Sequence, residues 1–310
     1  MTAIGGNARS LVIPPRPHHL KRRATQRGRT LGYNGDVLRL DSHVPAGRLG
    51  DYVHDVWQCD CTRIDDVPPV ERILPSGTVE LVINLGRNEV RIEAGASSPR
   101  RYEGAVVSGT YSAPFSIDPR GHTSMLGVHF RPGGASRVLG VPAGELAGDH
   151  VELATLFGRR IAHELRERVC SAAPHERFGI IECFLNGQLA RAREPNLVVD
   201  TALRMFGPFG TAATVREVAR RVGLSHRRLI ELFRAEVGLS PKRYCSILRF
   251  QRAVHLGSGS ATPDWAGVAF DCGYCDQSHL IRDFVAFSGL RPSEFRRAQG
   301  RGSLRNHVPA

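Results

Sequence analysis

Two stretches fifty residues apart repeat one order of apolar and polar positions: Val215, Val218, Ala219 and Gly223 return as Trp265, Val268, Ala269 and Gly273. Beyond the glycine the copies stay in phase at an offset of 51, pairing Leu229 with Leu280, Phe233 with Phe284, Gly238 with Gly289, Pro241 with Pro292 and Tyr244 with Phe295. In each copy this spacing predicts a short helix, a tight turn and a second helix of about a dozen residues. Thr214 and Ser225 stand where caps are needed, and Gly223 supplies the positive φ that ends the first helix. The predicted core of the paired motifs is Ala219, Leu229 and Phe233 with Ala269, Leu280 and Phe284. Gly223 and Gly273 sit in the turns, and Pro292 follows the second copy. Each copy thus reads as a helix-turn-helix.

Upstream the pattern changes. Short apolar runs broken by Gly, Pro and Asp predict strands over 52–59, 70–74, 78–85, 89–93, 105–110 and 125–130. Six short strands at this spacing imply a small antiparallel barrel or sandwich. Helical spacing follows over 153–169 and 175–193, with Pro174 between the two and Pro195 opening the next helix. The expected fold class is α+β in two domains. Residues 1–30 form a disordered basic tail, 31–150 a β-rich sensor domain, 151–193 a helical connector, 194–298 an all-α domain with both helix-turn-helix motifs, and 299–310 a disordered tail.

Charge sharpens this division. Residues 1–30 hold seven basic and no acidic residues, 31–194 hold 18 basic against 21 acidic, and 195–310 hold 17 against 9. The excess cations sit on the tail and on the helical domain, which points to a polyanionic partner for the latter. No apolar run approaches the ~18 residues of a membrane span, and no secretory signal is evident, so a cytoplasmic protein without a membrane partner is expected.

The outward face of each second helix carries the candidate chemistry. The first presents Arg227, Arg228, Ile230, Glu231 and Arg234; the second Asp276, Gln277, Ser278, His279, Ile281, Arg282 and Asp283. Arg matches guanine O6/N7, Gln matches adenine, Glu accepts from cytosine N4, and Ile meets a thymine methyl. A lone amphipathic helix would show such a face merely because it is solvated. Two copies on a basic domain favour recognition of double-stranded DNA.

The second copy, "VAFDCGYCDQSHLIRDFVAFSGLRPSEFR", resembles the AraC/XylS family of bacterial transcription regulators over residues 195–298. The shared features are alanine in the first helix, Gly-aromatic at the turn, Asp-Gln-Ser-His, a phenylalanine and Gly-x-x-Pro. The resemblance implies that a long helix, about Pro241 to Leu256, joins the motifs and that they enter successive major-groove segments. Ile230 and Glu231 depart from the polar or basic residues of relatives, and Trp265 replaces an aliphatic. More loosely, "HFRPGGASRVLGVPAGELAGDHVEL" resembles the end of a poorly characterised sensor domain found ahead of such regulators.

The expected function is a sequence-specific transcription regulator. Base contacts are assigned to Arg227, Glu231, Gln277, Ser278, His279 and Arg282, and phosphate contacts to Arg228, Arg234, Lys242, Arg243, Arg296 and Arg297. Expected partners are operator or promoter DNA, RNA polymerase, a second copy through the connector helices, and a small-molecule effector. A non-specific architectural DNA binder and an enzyme with an attached DNA-binding domain are the alternatives.

No enzymatic constellation supports the latter. His43, His54, His122, His129 and His150 include no His-x-His pair, and the Asp118, Arg120, His122 group reads as turn chemistry. Seven cysteines form no disulfide framework. Cys59-x-Cys61 shares a strand face, whereas Cys272 and Cys275 fall within positions the second motif already uses, so neither metal nor cofactor is expected.

Overall fold

A computed structural model describes residues 26–33, 36–61, 70–93, 99–192, 194–259, 262–298 and 306–309. The chain begins with strands β1 (Gln26–Tyr33), β2 (Asp36–His43), β3 (Val53–Cys61), β4 (Glu71–Ile73), β5 (Glu80–Asn84), β6 (Glu89–Glu93), β7 (Arg100–Glu103), β8 (Ala105–Ser108), β9 (Phe115–Ile117) and β10 (Ser124–Phe130). Helices α1 (Gly134–Leu139) and α2 (Ala143–Leu146) follow, then β11 (His150–Glu152), α3 (Leu153–Phe157), α4 (Arg159–Ser171) and α5 (Arg177–Leu189). The remainder is helical, with α6 (Leu197–Phe206), α7 (Val215–Arg221), α8 (His226–Val237), α9 (Pro241–Ser258), α10 (Trp265–Asp271), α11 (Gln277–Ser288) and α12 (Pro292–Ala298), until β12 (His307–Pro309) closes the described chain.

The strands form two antiparallel sheets, ordered β1-β2-β3-β10-β5-β8-β11 and β12-β4-β9-β6-β7. The barrel alternative is therefore not realised; the sheets stack as a sandwich. Strand alternation sorts the residues. Leu81, Ile83, Val107, Leu126 and Val128 turn to one face of the larger sheet, where α1 to α5 cover them through Leu139, Leu146, Leu165, Ile181 and Leu185. Val82 and Val106 turn to the other face and meet Val90, Ile92, Phe115 and Ile117 of the smaller sheet. Both connector helices thus spend their apolar stripes on the sandwich. The 153–169 stretch is broken at Gly158, whose φ is +85°.

Both ends of the described chain depart from expectation. The tail expected over 1–30 lies mostly outside the described residues, but Gln26 to Thr30 belong to β1, paired with β2. Residues 307–309, expected in a disordered tail, pair with β4, and His307 Nδ1 lies 2.8 Å from Glu71 Oε2. Val308, 1 % exposed, joins the helical core.

That core is aromatic. Phe206, Phe233, Phe250, Phe284, Phe287 and Phe295 are fully buried, each contributing about 1.5–3 kcal/mol. Edge-to-face contacts, such as Phe250 on Phe284 at 5.1 Å and Phe284 on Phe295 at 5.2 Å, fix their orientation. Because Phe250 belongs to α9 and Phe284 to α11, this packing fixes the second motif on the long helix.

The sandwich holds the helical domain along α8 and α9. Ser136 Oγ donates to Glu236 Oε2 at 2.6 Å, and Gln251 Nε2 donates to the Pro75 carbonyl at 2.7 Å. Gly238, at φ +87°, brings the end of α8 against Thr110 and Ala143.

Candidate nucleic-acid interface

The second helix of each motif is set by a cap and a buried stripe. Thr214 Oγ1 accepts from Glu217 N at 3.2 Å while Glu217 Oε2 accepts from Thr214 N at 2.7 Å, a reciprocal capping box that starts α7. Gly223 (φ +70°) turns the chain, and Ser225 caps α8 by accepting from Arg228 N at 3.2 Å. Leu229 and Phe233 are fully buried beneath α8, with Ala219 of α7 facing them in the same core. The second motif repeats the plan with Gly273 at φ +75°, Asp276 as cap of α11, and Ala269, Leu280 and Phe284 buried. Pro292 is buried at the start of α12.

What those stripes leave outside is polar. On α8, Arg227, Arg228, Glu231 and Arg234 are exposed, and the Arg227 side chain is 91 % exposed. Glu231 bridges Arg227 Nε at 3.0 Å and Arg228 Nη1 at 3.4 Å, and hydrogen bonds from both hold its carboxyl below the usual carboxylate range. Reading a base with Glu231 therefore means exchanging exposed ion pairs, which are weak. On α11, Gln277, Ser278 and Arg282 are exposed. His279 is half-buried with its ring edge-on to Tyr274 at 5.1 Å, so it has less reach than its neighbours. Asp276, counted on the outward face, spends Oδ1 on the His279 backbone N–H at 2.6 Å.

The phosphate set divides. Lys242, Arg228, Arg234 and Arg297 are exposed, whereas Arg296 is half-buried. Arg243 does not fit its assignment. It is half-buried, donates to the Ser112 carbonyl and stacks its guanidinium 4.3 Å above the Phe287 ring. It ties α9 to the sandwich because its helix turns that face inward.

Sequence reasoning missed Arg216 and Arg220, exposed one turn apart on α7. With His226 they line a cleft of about 410 Å³ beside the start of α8. Their i, i+4 spacing on one helix face is the signal in the sequence that marks them.

The residues weighed for other chemistry have local roles. Asp118 binds Arg120 through both carboxylate oxygens, at 2.8 and 2.9 Å, and caps a short 3-10 turn. His150 contacts the Tyr111 hydroxyl, and burial pushes its imidazole down to about 4. Burial pushes the Cys59 thiol up to about 12 and the Cys272 thiol up to about 11. Among the described residues no group of three His, Cys, Asp or Glu is arranged to hold a metal ion.

Comparison with known proteins locates this geometry. Residues 218–298 match a family described as a helix-turn-helix domain. The HTH-type transcriptional activator RhaS of Escherichia fergusonii is 36 % identical over 93 residues, 30 % of this chain and 32 % of that protein. The C-terminal domain is of the AraC type. An uncharacterised HTH-type transcriptional regulator of Haemophilus influenzae is 27 % identical to this chain over 84 residues, 27 % of this chain and 28 % of the relative. The chain spans about a third of the length of these curated relatives.

Ahead of the AraC-type domain, residues 41–152 match a domain of unknown function (DUF6597), which runs from β2 to β11. ToxT of Vibrio cholerae aligns in structure at a TM-score of 0.42 and 10 % identity, over 73 % of this chain and 93 % of its own. The AraC-like transcriptional activator CuxR aligns at 0.23 and 15 %, over 64 % and 74 %. Among the described residues no helix is long and apolar enough to cross a membrane.

Proposed function

We propose that this protein is a sequence-specific transcription regulator whose AraC-type domain reads double-stranded DNA with two modules. The carrying observation is that α8 and α11 each bury Leu and Phe beneath them while leaving a mixed polar face exposed. Both modules share one core, joined by α9. Its 18 residues span about 27 Å, compatible with modules near one ~34 Å helical turn apart. Base reading is assigned to Arg227, Gln277, Ser278 and Arg282, with Glu231 and His279 reaching bases after local rearrangement. Arg228, Arg234, Lys242, Arg297 and the added Arg216 and Arg220 serve the phosphates.

The mixed chemistry of these faces favours a reader over an architectural DNA binder, which needs only cations. The sandwich senses an effector or supports assembly, and RNA polymerase is the further partner this reading implies. A homodimer would have to use surface other than the stripes of α4 and α5, which the sandwich already covers.

Selection from a randomised duplex library at two salt concentrations tests the reading. Enrichment of two half-elements about one helical turn apart is expected. Salt-sensitive retention without enrichment, for the full chain and for residues 195–310 alike, would leave only a basic DNA-coating protein.

A further inference from the structure

The turns of the two motifs share a backbone plan and differ in what their side chains hold. Leu224 N donates to the Ala219 carbonyl and Tyr274 N to the Ala269 carbonyl, both at 3.0 Å, so these residues occupy one place in matching turns. Leu224 is half-buried, whereas Tyr274 is 6 % exposed. Cys275 is the extra residue before the second cap, after which the copies run in phase. His279 stands where the first motif has Arg228, and Asp283 where it has Leu232.

Tyr274 reaches two residues of α11 that lie one turn apart. Its ring meets the His279 ring edge-on, with centroids 5.1 Å apart and planes at 85°. Its hydroxyl and Asp283 Oδ2 are both buried, and neither has a hydrogen-bond partner among the described residues. They are nonetheless neighbours: after burial, the Asp283 carboxylate does most to hold the phenol above its ordinary value, against the pull of Arg249. Residues four apart share one helix face, so a single side chain from the turn engages that face at two levels.

A third element closes the group. The Arg249 guanidinium of α9 stands 5.6 Å from the Tyr274 ring centroid and donates through Nη2 to Ser246 Oγ at 3.0 Å. Thr211 backs the turn, since a Cβ on Gly273 would stand 2.9 Å from its Cγ2. The matching places of the first motif are built otherwise. Leu224 and Leu232 carry no polar side-chain atom, and Arg228 is exposed and donates through Nη1 to Glu231 at 3.4 Å.

We infer that Tyr274 is a positioning residue for base reading: it holds α11 in one rotation and His279 in one pose, and so sharpens discrimination in the half-element that the second motif reads. Packing against a buried ring limits the rotamers open to His279, and a side chain already ordered loses less entropy when it meets a base. The approach of His279 to a base then starts from a single pose. Arg282 departs from the same turn of α11 that Asp283 anchors. The role in discrimination rests on the regulator reading; the clamp between Tyr274 and α11 does not.

The test uses the full chain with isotopically labelled tyrosine and histidine rings. Its forms are the wild type, Tyr274→Phe, Tyr274→Leu, and a double variant, Tyr274→Leu with Asp283→Leu, that carries the first motif's pair. In the wild type, nuclear Overhauser effects should connect the Tyr274 and His279 rings. Tyr274→Leu should move the His279 ring resonances, whereas Tyr274→Phe, which keeps the ring, should leave them close to wild type. In duplex selection Tyr274→Leu should lose at least about fivefold in preference at a base pair of the half-element that Arg282→Ala also alters, the lower end of what a good base contact discriminates. The other half-element should be unchanged. The double variant removes both buried polar groups together, so it should melt closer to wild type than Tyr274→Leu does, yet discriminate no better.

Absent Overhauser effects, His279 resonances that ignore Tyr274→Leu, or equal relaxation of both half-elements would each overturn the role. So would discrimination that returns with stability in the double variant, which would make Tyr274 a packing residue only. If the leucine variants failed to fold, the Overhauser effects and the Tyr274→Phe spectrum would still decide. A wild type that shows the ring contact but enriches no duplex removes the regulator reading, and the specificity role with it, while the clamp stands. Enrichment without the ring contact removes the clamp and leaves the regulator.

Discussion

Arg282 and Lys242 are both exposed cations of the AraC-type domain, yet they belong to different parts of the recognition problem. Arg282 lies on the exposed face of α11, and in the proposed function a bidentate contact from it would discriminate one base pair. Arg282→Ala should cost about 1–3 kcal/mol on the selected site and relax preference at a single position. Lys242, at the start of α9, should meet phosphate; Lys242→Ala should weaken binding to every duplex and reduce the salt slope by about one. Titrations against the selected site, its single-base variants and random duplex, at several salt concentrations, separate these outcomes. Equal losses on all sequences for both variants would show that the roles are misassigned.

Residue chemistry within the sandwich makes a prediction about pH. His129 Nδ1 lies 2.7 Å from Asp55 Oδ1 and its Nε2 lies 2.9 Å from Glu80 Oε1, while Trp57 Nε1 donates to that Glu80 oxygen at 2.9 Å. Burial opposes charge on all three groups, but their mutual attraction outweighs it. Asp55 and Glu80 are held below the usual carboxylate range and His129 well above the usual imidazole value. The carboxylates' contribution is complete above ~4 and lost as pH falls through their depressed folded values. The imidazolium's is complete below ~6.5 and lost as pH rises through its raised folded value. Thermal unfolding at pH 6 and at pH 9.5 should therefore show His129→Gln far below wild type at the lower pH, and closer to it at the higher. A constant gap would mean that His129 is not charged in the fold.

At the scale of elements, helix starts were the most legible feature. Thr214 and Ser225, the two expected caps, each accept a backbone N–H three residues ahead, as their side-chain chemistry requires; Ser240 does the same at the start of α9 without having been singled out. Thr214→Ala removes one half of the capping box and should cost about 0.5–2 kcal/mol in chemical denaturation. The six predicted strands all appear within a few residues of their expected bounds because their apolar alternation is local. β7, written Arg-Arg-Tyr-Glu, has too little apolar content to show itself, and β9 and β11 are only three residues long. β12 exists because β4 offers it an edge more than two hundred residues away, a partner no local period reveals. The same divide applies to the site. The outward placement of Arg227, Gln277 and Arg282 follows from helical periodicity, whereas the burial of Arg243 depends on Ser112 and Phe287, which only the assembled fold brings near.

Across the whole molecule, the seat of α8 on the sandwich joins the two domains, and two glycines isolate its strength. Gly223 and Gly238 both hold positive φ, at +70° and +87°, so alanine at either meets similar backbone strain, about 1–2 kcal/mol. Their surroundings differ. A Cβ on Gly223 meets nothing within 4 Å, while one on Gly238 would stand 2.3 Å from Thr110 Oγ1 and 3.0 Å from the Ala143 carbonyl. Gly238→Ala should therefore be the more destabilising by at least about 1 kcal/mol, the excess being the cost of forcing the domains apart. Thr110→Ala removes the hydroxyl nearest the new methyl and should recover part of that excess, a coupling of about 0.5–3 kcal/mol in a double-mutant cycle on the full chain. Additive effects would place the end of α8 away from Thr110 in solution. A measured coupling would establish that the end of α8 and the sandwich are in energetic contact, the link that the proposed regulation of α8 by the N-terminal domain requires.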